Sequence, residues 1–203
     1  HHLNTLPFNI NGRKKIESLD VCHSNDSSKK NTILCDQVLI SGGWSPIVNL
    51  VSHRGIKPIW NEDNLCFVPG DIKENITVVG SAKGIWNSKQ CIDSGLIGAN
   101  EALNKLDIQK KEISFPAVGG WVNPIKPLFE VKSKKFPSKS FDDFQHDVTA
   151  DDVRLAHREG FISVEHLKRY TTLGMANDQG KMGNIIGLSL MAELLGKKIP
   201  EVG

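Results

Sequence analysis

Two apolar runs that each break on glycine set the tightest limit on how this chain can fold. One is QVLISGG, residues 37–43, and the other is NITVVGSAKG, residues 75–84. A short, nearly continuous apolar run suits a strand covered on both faces, as in a parallel sheet. Each run then meets glycine, where backbone can approach a neighbouring strand or a phosphate. After the second run, Ile92, Leu96, Ala99 and Leu103 recur at helical spacing across 88–106. Strand, glycine turn, helix is the order found in nucleotide-binding α/β sheets. Residues 33–41, with their apolar core at 37–41, and residues 75–80 are therefore expected as neighbouring buried strands, with the turns Gly42–Gly43 and Gly80–Ser81 at one edge. A further half-buried strand is expected in KKIESLDVC, residues 14–22, where Ile16, Leu19 and Val21 alternate with polar residues. SNDSSKKN, which follows it, reads as a turn. No GxGxxG occurs, so the phosphate-gripping βαβ unit of such a sheet is not in this chain.

The chain divides into three expected parts. Residues 1–106 read as the C-terminal part of a dinucleotide-binding α/β domain. Residues 107–140 are rich in lysine and proline and read as an extended linker. Trp121, Phe129 and Phe136 suggest that this linker lies against something rather than standing free. Residues 141–203 read as a small all-α domain. Thr149 with Asp152 three residues on is a capping-box pattern for a first helix ending at Gly160. Ser163 is placed to cap a second helix, VEHLKRYTTL. A third helix runs through KMGNIIGLSLMAELLG to Gly196 and Pro200, with its methionines expected as core filler.

Between the second and third helices stands KRYTTLGMANDQGKMGN, residues 168–184. Asp178 is expected as the N-cap of the third helix, where free backbone N–H groups also attract anions. An N-cap alone does not call for Lys168, Arg169, Thr171, Thr172, Gln179 and Lys181 around one turn. These groups suit a phosphate or a protein partner. Gly183 and Gly187 clear one face of the third helix for a close approach.

Composition narrows the function. Apolar content of 39%, charged content of 24% and a net charge of +2 describe a globular chain without a basic nucleic-acid surface or a membrane-binding face. Cys22, Cys35, Cys66 and Cys91 are widely and irregularly spaced, as expected for reduced thiols in a cytoplasmic protein rather than a metal site. The histidines His23, His53, His146, His157 and His166 are scattered, and no HExxH or Ser–His–Asp pattern occurs. No catalytic residue is expected here. The first residue is His1, so the chain reads as starting within a longer protein.

The run FDDFQHDVTADDVRLAHREGFISVEHLKRYTTLGMANDQGKMGNIIGLSLMAELLGKKIPEVG resembles the alpha subunits of heterotetrameric sarcosine oxidases. VLISGGWSP and VVGSAKGIWNSKQCIDSGLIGA are similar to the same subunits' dinucleotide-binding region. The resemblance implies a cytoplasmic flavoenzyme that demethylates sarcosine oxidatively, forms peroxide and can pass the one-carbon unit to tetrahydrofolate. It implies NAD on this subunit, FMN at its interface with the beta subunit, and FAD on the partner subunit. The Gly-rich half that precedes this region in the family, and the folate domain that follows it, are expected outside the chain. In this superfamily an aspartate commonly follows the glycine of the second turn and holds a flavin. Ser81 stands there instead, which points to NAD. By resemblance, Gly42, Gly43, Gly80 and Ser81 would contact NAD, and Lys168, Arg169, Thr171, Thr172, Gln179 and Lys181 would contact FMN. An alternative is a non-catalytic docking module of a related amine or amino-acid dehydrogenase complex. The helical part also resembles the 2Fe–2S module of bacterioferritin-associated ferredoxin, a three-helix unit with four cysteine ligands. The positions matching those cysteines are Asp143, Gln145, Asp178 and Gly183, so no iron–sulfur cluster is expected.

Overall fold

A computed structural model describes all residues except 73, 74, 110–112, 114, 116–118, 120–124, 133–137 and 203. The described residues form a mixed α/β fold in two compact units. One unit comprises His1–Gly42 and Leu128–Gly203, the other Gly43–Pro127.

The first unit opens with a three-stranded antiparallel sheet of β1 (Thr5–Asn11), β2 (Ser18–His23) and β3 (Asp26–Leu34), in that order. The expected strand over 14–22 is present as β2, starting four residues later than the sequence pattern suggested. Its more buried face is not that of Leu19 and Val21 alone. Ser18, Asp20 and Cys22, pointing the other way, are all buried as well. The Asp20 carboxylate is compensated there by the Thr32 hydroxyl at 2.7 Å and the Lys30 ammonium at 2.9 Å. The Thr32 and Lys30 hydrogen bonds hold its pKa down to about 2. SNDSSKKN is not a simple turn: most of it belongs to β3, a largely exposed polar strand.

The same unit ends in the helical part. A small antiparallel hairpin of β6 (Phe141–Asp143) and β7 (Val148–Thr149) leads into α3 (Ala150–Arg158). The capping box forms as expected, with Thr149 Oγ1 accepting from Asp152 N and Asp152 Oδ2 accepting from Thr149 N. Next come α4 (Val164–Thr171) and α5 (Gly183–Leu195). Ser163 is the N-cap residue of α4 but its side chain makes no capping bond. Val153, Ala156, Leu167, Leu173 and Met191 are fully buried and form the core of this part. At the edge of that core, Arg154 pairs with Glu130, and Lys132 with Glu130 and Glu193.

In the second unit, α1 (Asn49–Ser52) precedes the antiparallel pair β4 (Ile59–Asn61) and β5 (Cys66–Val68). A 3₁₀ turn, Gly80–Lys83, precedes α2 (Ser88–Lys105), capped by Asn87. This helix is where the periodicity placed it. The two expected buried parallel strands are not formed. Residues 37–41 have no strand pairing, and Leu39 and Ile40 are 86% and 52% exposed. Residues 75–79 are unpaired too, although Val79 is extended. Every strand pair among the described residues is antiparallel. The physical reason is that a strand needs a neighbour to take its backbone hydrogen bonds, and neither run has one here. With no strands at Gly42–Gly43 and Gly80–Ser81, the expected common sheet edge does not exist among the described residues. The segment 75–79 nevertheless packs against the helix. A Cβ on Gly98 of α2 would lie 2.7 Å from Val79 Cγ1. Of the expected linker, Trp121 and Phe136 lie outside the described residues.

Candidate functional site

The β6–β7 hairpin is the platform for residues 172–182. Asp143 ends β6 buried, and its carboxylate accepts three backbone N–H groups. Oδ1 takes those of Gln145 and His146 at 2.9 and 3.1 Å, and Oδ2 takes that of Gly174 at 3.2 Å. Burial raises the pKa of this carboxyl, but the three backbone donors outweigh it and hold the value below normal. Gln145 Oε1 accepts from Asn177 N at 3.2 Å, and His146 Nδ1 donates to the Thr172 carbonyl at 3.0 Å. Two of the positions expected from the resemblance to match cysteines of iron–sulfur modules, Asp143 and Gln145, thus clip one loop to the next by hydrogen bonds. The other two are equally occupied. Asp178 Oδ1 accepts from Gly180 N at 3.3 Å. Gly183 lies against the Asp142 carbonyl, which a Cβ would approach to 2.5 Å. This donor set, without a thiol and already bonded to backbone, does not fit an iron–sulfur cluster.

The loop is tightly specified. Thr172 and Gln179 both adopt the left-handed region, at φ 64° and 53°. For a β-branched residue such as Thr172 that conformation is strained. Gly174 and Gly180 share it, and Asn184 sits between them, leaving about 2 Å for any Cβ on either. Asn184 Oδ1 is buried without a hydrogen-bond partner. Leu173 fills the notch made by Gly183 and Gly187, so the close approach expected at those glycines is made by a core side chain. Helix α5 begins at Gly183 with Met182 at the N-cap position. Asp178 is therefore not its N-cap; it closes a turn one step earlier.

Six of the sequence-derived site residues lie at the end of α4 and on the loop that follows it. Lys168 is half-buried, and Arg169, Thr172, Gln179 and Lys181 are exposed. Thr171 is committed locally: its hydroxyl donates to the Leu167 carbonyl at 2.8 Å and accepts from Leu173 N at 3.2 Å. Among the described residues, Lys168, Arg169 and Lys181 have no ion-pair partner. Unpaired cations beside an exposed hydroxyl and amide are suitable chemistry for a phosphate or an acidic surface.

Three features were not read from the sequence. Met175 and Met182 are 51% and 60% exposed, so of the two third-helix methionines expected in the core only Met191 lies there. Phe144, on the hairpin loop, is 58% exposed and stacks on Phe141 at 5.5 Å between ring centroids. Asp142 is buried, with Oδ2 unpartnered. Desolvation, with Glu130 nearby, raises its carboxyl pKa to about 7. The doubled acid in FDDF, flanked by aromatics, is the only signal that could have pointed to it.

The remaining site residues belong elsewhere. Gly42 closes the first unit's N-terminal segment and Gly43, at φ 146°, opens the second unit. Gly80, at φ 61°, starts the 3₁₀ turn and donates its N–H to Ser94 Oγ of α2 at 3.3 Å. Ser81 is exposed on that turn. Among the described residues, no group of His, Cys, Asp or Glu side chains is assembled to hold a metal ion, and no helix is long and apolar enough to cross a membrane.

Residues 137–203 match the family described as the sarcosine oxidase A3 domain. The chain is 35% identical over 195 residues to the sarcosine oxidase subunit alpha of Rhizobium meliloti (strain 1021), covering 95% of this chain and 19% of that protein. It is 30% identical over 174 residues to the subunit alpha of Corynebacterium sp. (strain P-1), covering 83% of this chain and 18% of that one. The chain thus spans about a fifth of the length of these relatives. L-proline dehydrogenase from P. horikoshii shares the fold, with a TM-score of 0.61 and 16% identity, over 96% of this chain and 40% of that one. By these similarities residues 137–203 match the sarcosine oxidase A3 domain, and the chain over most of its length is similar to a fragment of sarcosine oxidase alpha subunits.

Proposed function

We infer that this chain is the part of a sarcosine oxidase-type alpha subunit that joins a NAD-binding region to a flavin-bearing subunit interface. The whole enzyme would be a cytoplasmic heterotetrameric oxidoreductase that demethylates sarcosine and hands the one-carbon unit to tetrahydrofolate. The chain by itself would be inactive. The observation that carries the interface reading is the trio of cations Lys168, Arg169 and Lys181, all without ion pairs among the described residues, at one helix end and loop.

A flavin bound at the interface would supply the hydride chemistry of amine oxidation. What this chain's residues do is bind. Lys168, Arg169 and Lys181 neutralise an FMN phosphate, and Thr172 and Gln179 offer hydrogen bonds to it. Thr171 acts as a lock on the helix end that keeps Thr172 in place. The hairpin clip through Asp143, Gln145 and His146 fixes the loop before anything binds, which lowers the ordering cost. Residues 141–203 would be a relative of the three-helix ferredoxin-like module in which polar side chains replaced the cluster. Residues 37–41 and 75–79 would be strands of a Rossmann-like domain completed by the rest of the full-length protein. In that setting Gly42, Gly43, Gly80 and Ser81 would bring backbone close to NAD.

The test is made in the full-length subunit assembled with its beta partner. Lys181→Ala and Arg169→Ala are expected to lower the FMN content of the purified complex, each lost charge-assisted contact costing about 1.5–3 kcal/mol of binding. Sarcosine-dependent peroxide formation should fall with the flavin content. Parental flavin content in both variants would refute the cofactor role of this loop.

A further inference from the structure

We propose that Phe144, Met175 and Met182, bordered by Lys168, Arg169 and Lys181, form a preformed docking face for an apolar, acid-rimmed surface of a partner protein subunit. The inference rests on the reading that this domain meets another subunit, and it names the face and the chemistry of what covers it.

Isolated exposed apolar side chains are ordinary on any protein, whereas a grouped set marks an interaction surface. Here the grouping comes from hydrogen bonds. Phe144 lies on the hairpin loop, inside the 143–146 stretch that is bonded to the loop bearing Met175. The clips run from Asp143 to Gly174, from Gln145 to Asn177 and from His146 to Thr172. Met182 precedes Gly183, which lies against the Asp142 carbonyl of the same hairpin. All three side chains therefore sit on two loops locked edge to edge, and each is more than half exposed. The lock matters energetically, because a face whose backbone is already fixed loses little entropy on binding. Phe144 is further held by its stack on Phe141, while the two methionines supply adaptable, polarizable contact.

Charge selects the partner. The three cations have no ion pairs among the described residues, so an acidic rim would gain contacts without breaking any. Asp147 and Asp178 lie on the same two loops, so the face is of mixed charge and suits the patterned rim of a protein better than a uniformly anionic lipid surface.

The experiment compares Met175→Ser/Met182→Ser, Phe144→Ser and Lys181→Ala in the full-length alpha subunit. It measures the dissociation constant for the beta partner by sedimentation over a range of salt, and the flavin content per assembled complex. The two apolar variants are expected to raise the dissociation constant about tenfold or more, as loss of central contacts does. Flavin per assembled complex should stay at the parental level. The parental affinity should weaken with added salt. Unchanged affinity in both apolar variants overturns the proposal. If affinity is unchanged while Lys181→Ala loses flavin, the cofactor reading stands and the docking face falls. If the apolar variants dissociate while Lys181→Ala keeps its flavin, the docking face stands and the cofactor reading falls. Co-sedimentation of the subunit with phosphatidylserine vesicles would also overturn it. Should the double variant fail to fold, the single change Met182→Gln at this exposed position carries the same reading.

Discussion

Asp142 shows how much one side chain can hold in a small domain. Its neighbour Asp143 faces three backbone donors, whereas Asp142 is buried with one oxygen unpartnered and with Glu130 and Asp152 nearby, opposed only by Arg154. Burial first, and Glu130 second, favour its neutral form and put its pKa at about 7. A carboxyl whose folded pKa lies above its ordinary value stabilises the fold fully below that ordinary value of 3.8, and the contribution is lost as pH rises through about 7. Asp142→Asn keeps the shape and removes the ionisation. The variant should therefore be more stable than the parent at about pH 8, by on the order of 1–3 kcal/mol. The advantage should vanish at about pH 4, where the parent carboxyl is neutral too. Urea unfolding across that range checks this. A constant difference between the two proteins at all pH values would show that Asp142 does not titrate there. None of this was legible in the sequence, because two adjacent acids look alike until their partners are known. The cations of the neighbouring loop were legible, since their density at one turn exceeds what a helix end requires. Phe144, Met175 and Met182 were not, because an isolated apolar letter does not say which way it faces.

At the scale of elements, local signals were reliable and pairing was not. The capping box at Thr149 and Asp152, the stop at Gly160 and the helical spacing of α2 depend on residues a few positions apart, and all three elements appear, although of the α2 stripe Ile92, Leu96 and Leu103 are only half-buried and Ala99 is exposed. Strands depend on partners far away in sequence. The polar strand β3 was read as a turn because it has no apolar face to bury, and β4, β5, β6 and β7 are too short to show a period. Helix α2 offers a direct test of what it packs against. Gly95 and Gly98 lie one turn apart on it. A Cβ at Gly95 meets nothing within 4 Å, while one at Gly98 meets Val79 Cγ1 at 2.7 Å and Thr77 Cγ2 at 3.2 Å. Gly95→Ala should stabilise this unit by about 0.5–1 kcal/mol through helix propensity alone. Gly98→Ala gains the same propensity but must overpack against Val79, at about 1–3 kcal/mol, so it should destabilise on balance. Thermal unfolding of the two variants against the parent decides the signs. Stabilisation by both would mean that residues 77–79 do not rest on the helix.

The whole molecule leaves unsettled surface where the sequence asked for buried strands. Leu39, Trp44 and Ile47 are 86%, 72% and 64% exposed along one stretch without strand pairing. Unpaired extended backbone beside apolar side chains is an open template for another strand. The relatives are about five times longer than this chain, which covers 19% of the first of them, so the remainder of such a protein is the natural source of the cover. The sequence reading and the observed exposure are reconciled if these runs become strands only when neighbours are present, since their apolar content is intrinsic and their pairing is not. The expected outcome is a difference in amide hydrogen exchange. In this chain alone, residues 38–41 and 76–79 should exchange almost as fast as an unfolded peptide, because their N–H groups have no ladder partner. In the full-length subunit the same amides should slow by about a hundredfold or more, as a sheet interior requires local opening of roughly 3 kcal/mol or above. The helices α3 and α5 serve as internal reference, since their backbone bonds are complete in both contexts. Fast exchange at 38–41 and 76–79 in the full-length protein would show that these apolar runs stay outside any sheet, and the Rossmann-like reading of this region would fall with them.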